Sequence, residues 1–281
     1  MATAALIVRT PGGKVLYDTS KAVYGLIKAG PVTYHGPWYR LDPATGRPNI
    51  YADNMYKFEV ENAISPIVFV YGMSGKPTQS KEGNKQVFYF GGPVSGIRVY
   101  CFDIMQPIFT GPALKTRAPD GSFTFNSLQF PLNVKGTSTP PSTQAVPNST
   151  MIIPFAGGGL YWWPEPPGES PGYVAGIRSQ AIRVPLDATK KYAAHIPWNR
   201  GVQWIGDWTN AGGHASRWQG SGAEGCYGED GAVSHIIWAS EESTFASVPA
   251  WYGVGFFNMA NDRRPACSYI DLAEYPYPFN A

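Results

Sequence analysis

ALIVRTPGGKVLYDT, Ala5 to Thr19, and ALKTRAPDGSFTFNS, Ala113 to Ser127, are two copies of one pattern. At a constant offset of 108 residues, Ala5, Leu6, Arg9, Pro11 and Gly13 recur as Ala113, Leu114, Arg117, Pro119 and Gly121. Tyr17, Asp18 and Thr19 are exchanged within their own chemistry for Phe125, Asn126 and Ser127. Each copy spells strand, tight turn, strand. Proline presets the negative φ of an early turn position, and glycine takes the positive φ that other residues resist. After each turn the apolar residues alternate, Val15 with Tyr17 and Phe123 with Phe125, which predicts a half-buried antiparallel strand. Ser122, Thr124 and Asn126 are expected on the outward face. Asp18 and Asn126 then close their strands with short polar side chains that can bond nearby backbone. A hairpin used twice reads as architecture rather than chemistry.

Composition extends the same reading. The chain has 281 residues, of which 32 are glycine and 26 proline, with aromatics at 14%. Both glycine and proline interrupt helices, and so many aromatics disfavour disorder. The expected fold class is all-β, built of antiparallel β-sandwich modules with long Gly/Pro-rich loops and little helix. Charged residues are 15% and the net charge is +2. The longest basic runs, Lys190-Lys191 and Arg263-Arg264, are too short for a nucleic-acid footprint. No stretch reaches the eighteen or so apolar residues of a membrane helix, and MATAALIVRT lacks the features of a signal peptide. The expectation is therefore no nucleic acid and no membrane insertion. Cys101, Cys226 and Cys267 form an odd set without metal-ligand spacing and read as buried free thiols.

Along the chain, 22–27, the region of Tyr34, 56–60, 65–72, 86–90 and 96–102 read as strands, with 73–86 as a polar loop. KGTSTPPSTQAVPNST, Lys135 to Thr150, is rich in Ser, Thr and Pro and reads as a linker or exposed loop. This predicts an N-terminal β module over 1–135 bracketed by the two hairpins, a linker over 136–150 and a Trp-rich C-terminal β domain over 151–281. In that last part 181–186, 234–240 and 251–259 read as strands. DATKKYAAH, Asp187 to His195, is the best helix candidate, with Asp187 as its cap.

Around the repeat the chain resembles a group of bacteriophage tail-tip and tail-fibre-associated proteins. Those proteins open with a "G-x-h-V-x-…-G-x-h-h-h-D-[ST]" hairpin and carry a related segment later. Here the later segment reads GIRVYCFD, Gly96 to Asp103, followed by DGSFTFNSLQFPLNV, Asp120 to Val134. The resemblance covers about residues 1–135. It implies a virion component at the distal end of a tail, made in the bacterial host cytoplasm. Its implied partners are other phage tail proteins and a host-surface glycan or protein receptor. Because tail tips commonly carry three-fold symmetry, it also implies a homotrimer. It brings no catalytic residues and no cofactor. Two other classes stay open: a lectin or glycan-active enzyme with a β-sandwich head, and a cytosolic enzyme of another family.

Chemistry, if any, is expected among the tryptophans. Eight of the nine follow residue 160, and the densest run is WNRGVQWIGDWTNAGGHASRWQGSGAEG, Trp198 to Gly225. Indoles among small polar residues suit sugar stacking or protein interfaces. Trp238 and Trp251, inside apolar runs, read as core. Trp162, Trp163, Trp208 and Trp218 read as surface candidates, with Asp207 and Arg217 as polar partners. His214 shares its stretch with Asp207, Glu224 and Cys226, a set conceivable for a metal or for acid–base chemistry. No histidine has a partner at metal spacing, so no metal ligand is assigned. No nucleophile elbow, phosphate loop or dinucleotide fingerprint occurs, and no catalytic residue is assigned. Adjacent acids such as Glu229-Asp230 read as solvated loops.

Overall fold

The computed structural model describes residues 7–9, 11–13, 15–18, 22–91, 96–107, 109–161, 174–175, 179–209, 215–238, 243–249 and 251–280. The chain is all-β. It opens with the hairpin β1 (Ile7–Arg9) and β2 (Val15–Asp18). There follow β3 (Tyr24–Pro31), β4 (Thr33–Leu41), β5 (Pro48–Glu61), β6 (Ile67–Tyr71), β7 (Thr78–Glu82), β8 (Lys85–Gly91) and β9 (Arg98–Ile104). The second hairpin is β10 (Lys115–Arg117) and β11 (Phe123–Asn126). Then come β12 (Gly136–Ser138), β13 (Gln144–Ala145), β14 (Ile152–Ile153), β15 (Gly159–Tyr161), β16 (Val174–Ala175), β17 (Ser179–Pro185) and β18 (Tyr192–His195). The last strands are β19 (Gly201–Thr209), β20 (Ala215–Glu229), β21 (Ala232–Trp238), β22 (Phe245–Val248), β23 (Gly255–Phe257), β24 (Cys267–Asp271) and β25 (Phe279–Asn280). Among the described residues the one helical turn is the 3-10 segment Leu272–Glu274, capped by the Asp271 carboxylate.

The two hairpins are the same object. β1 pairs with β2 as Ile7↔Asp18, Val8↔Tyr17 and Arg9↔Val15, with the register slipping between Val8 and Arg9. β10 pairs with β11 as Lys115↔Asn126, Thr116↔Phe125 and Arg117↔Phe123, slipping at the equivalent step. The glycines match as well, Gly13 at φ +83° and Gly121 at φ +86°. So do the arginines: Arg9 donates to the Gly13 carbonyl and Arg117 to the Gly121 carbonyl. Their surroundings differ. The second copy is stitched to the body by a bond from Val23 N to Thr124 O. Thr124 and Asn126, expected to face outward, are buried. The Asn126 amide donates to Gln106 O, and its oxygen accepts from Leu128 N. The first copy exposes Ile7 and Val15.

β4, β5, β8 and β7 form a four-stranded sheet, while β3, β6, β9 and β12 to β25 join in a network of seventeen strands. Phe58, Val60, Phe88 and Phe90 of the first sheet share one apolar cluster with Val68, Val70, Val99 and Ile236 of the second. Each such buried side chain contributes roughly 1.5–3 kcal/mol. The apolar run at 67–71 is, as its composition predicts, a central strand. β6 pairs with β9, touches β18 at Val70↔Ala194, and meets β20 at Tyr71↔Gly228.

Four local expectations give way to tertiary packing. The polar stretch 73–86 contains β7, an edge strand whose polarity reflects its solvent face rather than a loop. Residues 136–150 are not a free linker. They carry β12, paired with β24, and β13, and main-chain bonds join the strands before them to those after. The segment 187–195 is not a helix: a turn closed by Asp187 on Thr189 leads into β18. Ala193 and Ala194 there are fully buried, with β18 paired to β24 and bridged to β6, and the burial overrides their helix propensity. The dense Trp198–Gly225 run, whose glycines and small polar residues have the composition of loops, is largely the long β19–β20 hairpin.

His195 ends β18 with its Nδ1 3.0 Å from the Val68 carbonyl. Burial pushes its pKa below the usual 6.5, against the opposing hydrogen bond to Val68. The unfolded chain therefore takes up this proton first, so the stability is present above pH 6.5 and is lost as pH falls through the folded value. Urea midpoints should drop between pH 7.5 and 5, and His195→Gln should flatten that slope.

Candidate functional site

β20 carries the site because of its glycines. Glycine in a strand interior marks a close approach by another group. A Cβ at Gly220 would run into the Trp204 indole, at Gly225 it would lie 2.7 Å from Gly75 Cα, and at Gly222 it would lie 2.9 Å from Trp238 O. The Trp204 indole thus lies flat under β20, in a cluster with Phe245, Ile237 and Phe256.

On that frame Asp207 and Arg217 are direct cross-strand partners. Arg217 Nε lies 2.8 Å from Asp207 Oδ1, and Arg217 Nη1 donates to the Tyr252 carbonyl. The guanidinium therefore ties β19, β20 and the turn at 251–252 together. Residues one step along a strand face opposite ways, and Trp218 accordingly turns inward. It stacks on Phe245 at 4.8 Å with an interplanar angle of 8°. Arg40, paired with Asp53 at 2.8 Å, caps the same column at 5.5 Å from the Phe245 ring. Trp218 is thus half-buried packing rather than the surface aromatic it was expected to be.

The surface aromatic is Trp251, read from its apolar run as core. It is 77% exposed and stacks on Tyr252 at 4.1 Å. The run 251–259 is not one strand: only Gly255–Phe257 pairs, and Trp251 and Tyr252 lie in the turn before it. Trp162, Trp163 and His214 lie outside the described residues. Trp208 pairs through its backbone with Ala175 and Ser216, and its side chain is likewise outside them.

Of the remaining candidates, Glu224 is engaged by Arg200, at 2.7 and 3.0 Å, in a fully buried pair. Glu229 is held by Arg183 and Ser234, and Asp230 by Tyr71 and Lys191. Larger clefts, of about 440 and 470 Å³, lie between β3 and β5 around Lys28 and Glu59. One grouping had no spacing signal at all: Cys226, His235 and Cys267 converge with their ligand atoms within 4.8 Å of one another. Cys101 is buried elsewhere, and all three thiols are free. Comparison with protein-family models, with curated proteins and with solved structures finds no match to this chain.

Proposed function

We propose that this protein is a structural component of a phage tail tip, with a β-sandwich body. Its N-terminal hairpin attaches it to other tail proteins, and its C-terminal part supplies an interface or a host-receptor contact. The observation that carries the reading is the duplicated hairpin. One copy is docked on the protein's own body, and the other presents Ile7 and Val15 to solvent in the same geometry. A repeat whose second copy docks intramolecularly leaves the first copy suited to docking on a neighbour. The reading predicts that mass spectrometry of purified virions detects the chain at a fixed stoichiometry and that electron microscopy places it at the distal tail. Its absence from virions would sink the proposal.

A second reading, a glycan-binding head, rests on Trp251. An indole this exposed, backed by Tyr252 and braced by Arg217 and Asp207, has the form of a sugar-stacking platform. Trp251→Ala should change stability by less than about 0.5 kcal/mol and weaken glycan or cell binding at least tenfold. Trp218→Ala should do the reverse, costing about 2 kcal/mol through the lost stack on Phe245. Equal binding by wild type and Trp251→Ala on a glycan array and in cell adsorption would remove this reading.

A further inference from the structure

Cys226 and His235 are direct cross-strand neighbours on β20 and β21, and Ser138 and Cys267 are direct neighbours on β12 and β24. Opposed residues of an antiparallel pair project to the same face, and these two pairs meet. Cys226, His235 and Cys267 are fully buried. Cys267 Sγ lies 3.8 Å from His235 Nδ1, and His235 Nε2 lies 2.9 Å from Ser138 Oγ. With Nε2–H donating to the serine hydroxyl, the Nδ1 lone pair is aimed at the sulfurs. A partner on the far ring nitrogen is how proteins orient a metal-binding imidazole.

We propose that Cys226, Cys267 and His235 are the protein ligands of a zinc-class metal ion. Two thiolates and one imidazole select soft or borderline ions over magnesium and calcium. Charge supports the assignment. Binding Zn²⁺ releases the two thiol protons to solvent, and two thiolates cancel the dication. The resulting neutral unit suits a shell made of Ala194, Ile196 and Val233. Size supports it too. With Zn–S of about 2.3 Å and Zn–N of about 2.0 Å, tetrahedral ligand atoms stand roughly 3.5–3.8 Å apart. The Cys267–His235 edge has that length already, at 3.8 Å, and no ligand pair exceeds 4.8 Å. Three protein ligands leave a fourth position for water or an outside ligand. Cys226 also lines a cleft of about 240 Å³ with His195, Lys76 and Gln79, which supplies a route for the ion.

The test uses the full chain, reduced and stripped of metal, titrated with Co²⁺ and then Zn²⁺. One Co²⁺ per chain should bind with a sulfur-to-cobalt charge-transfer band, and Zn²⁺ should displace it and raise the melting temperature. Cys226→Ala and Cys267→Ala should each abolish the band, and Cys101→Ala should leave it. Ser138→Ala should keep the band and weaken binding by about 10–100-fold. Because the band is read on wild-type protein, the result does not hang on whether the variants fold. The proposal is overturned if wild-type protein gives no cobalt–thiolate band. It is equally overturned if the band survives in the Cys226→Ala/Cys267→Ala double variant, or if the resting protein holds a Cys226–Cys267 disulfide whose reduced form takes no metal.

Discussion

Gly228→Ala is expected to prevent native folding, or to lower stability by more than about 4 kcal/mol, a loss reserved for the severest single changes. Gly228 stands where β6, β18, β20 and β21 cross. It faces Val233 and Tyr71 in register, and its carbonyl accepts from Gly72 N at 2.9 Å. A Cβ there would enter the Tyr192 carbonyl and stand 2.6 Å from Ala193 Cα. Both obstacles are backbone, so no side chain can rotate away, and β18 would have to leave the sheet. Urea denaturation followed by tryptophan fluorescence measures the loss. Gly83→Ala is the matched control: at φ +64° with open space around it, alanine costs only the left-handed penalty of about 1–2 kcal/mol. A Gly228→Ala protein as stable as Gly83→Ala would contradict the close crossing.

Breaking the Arg200–Glu224 pair is the second large effect. Arg200→Met or Glu224→Leu alone should cost about 3–5 kcal/mol, because each strands a buried charge, and the double substitution should cost less than either. The side chains are 1% and 0% exposed, and Arg200 also donates to Ala260 O at 2.9 Å. Burial holds the Glu224 carboxyl above its ordinary range, with the Arg200 hydrogen bonds and charge pulling it only partly back. A carboxyl whose folded pKa is raised contributes stability below its unfolded pKa and loses it as pH rises through the folded value. Without the guanidinium the carboxylate has nothing to offset its desolvation, so Arg200→Met should be more destabilised at pH 8 than at pH 5. Equal losses at the two pH values would show that the carboxyl is not the group left stranded.

Much of the fold was legible along the chain. The matched hairpins and the strands read at 65–72, 96–102 and 181–186, observed at 67–71, 98–104 and 179–185, follow from turn chemistry and local apolar pattern, which are properties of adjacent residues. Trp218 and Trp251 were read in reverse because exposure is not local. The flanks of Trp218 are polar, yet Phe245 arrives from another strand to cover it. The flanks of Trp251 are apolar, yet they turn it out of the sheet. Asp207 and Arg217 were named as candidates, and their being partners came from hairpin register.

By itself the sequence determined the all-β class, the doubled hairpin with its matched turns, and burial of the three thiols; the shared register slip came from the structure. Tertiary structure alone decided that 187–195 is a turn leading into a strand, that 136–138 and 144–145 pair in the sheet, and that a glycine-rich run is the long strand β20. It alone placed Cys226, Cys267 and His235 at one point. The physical reason is the same in each case. Dihedral preference and alternation are set by neighbours in sequence, whereas the space beside a glycine or a thiol is set by residues far along the chain.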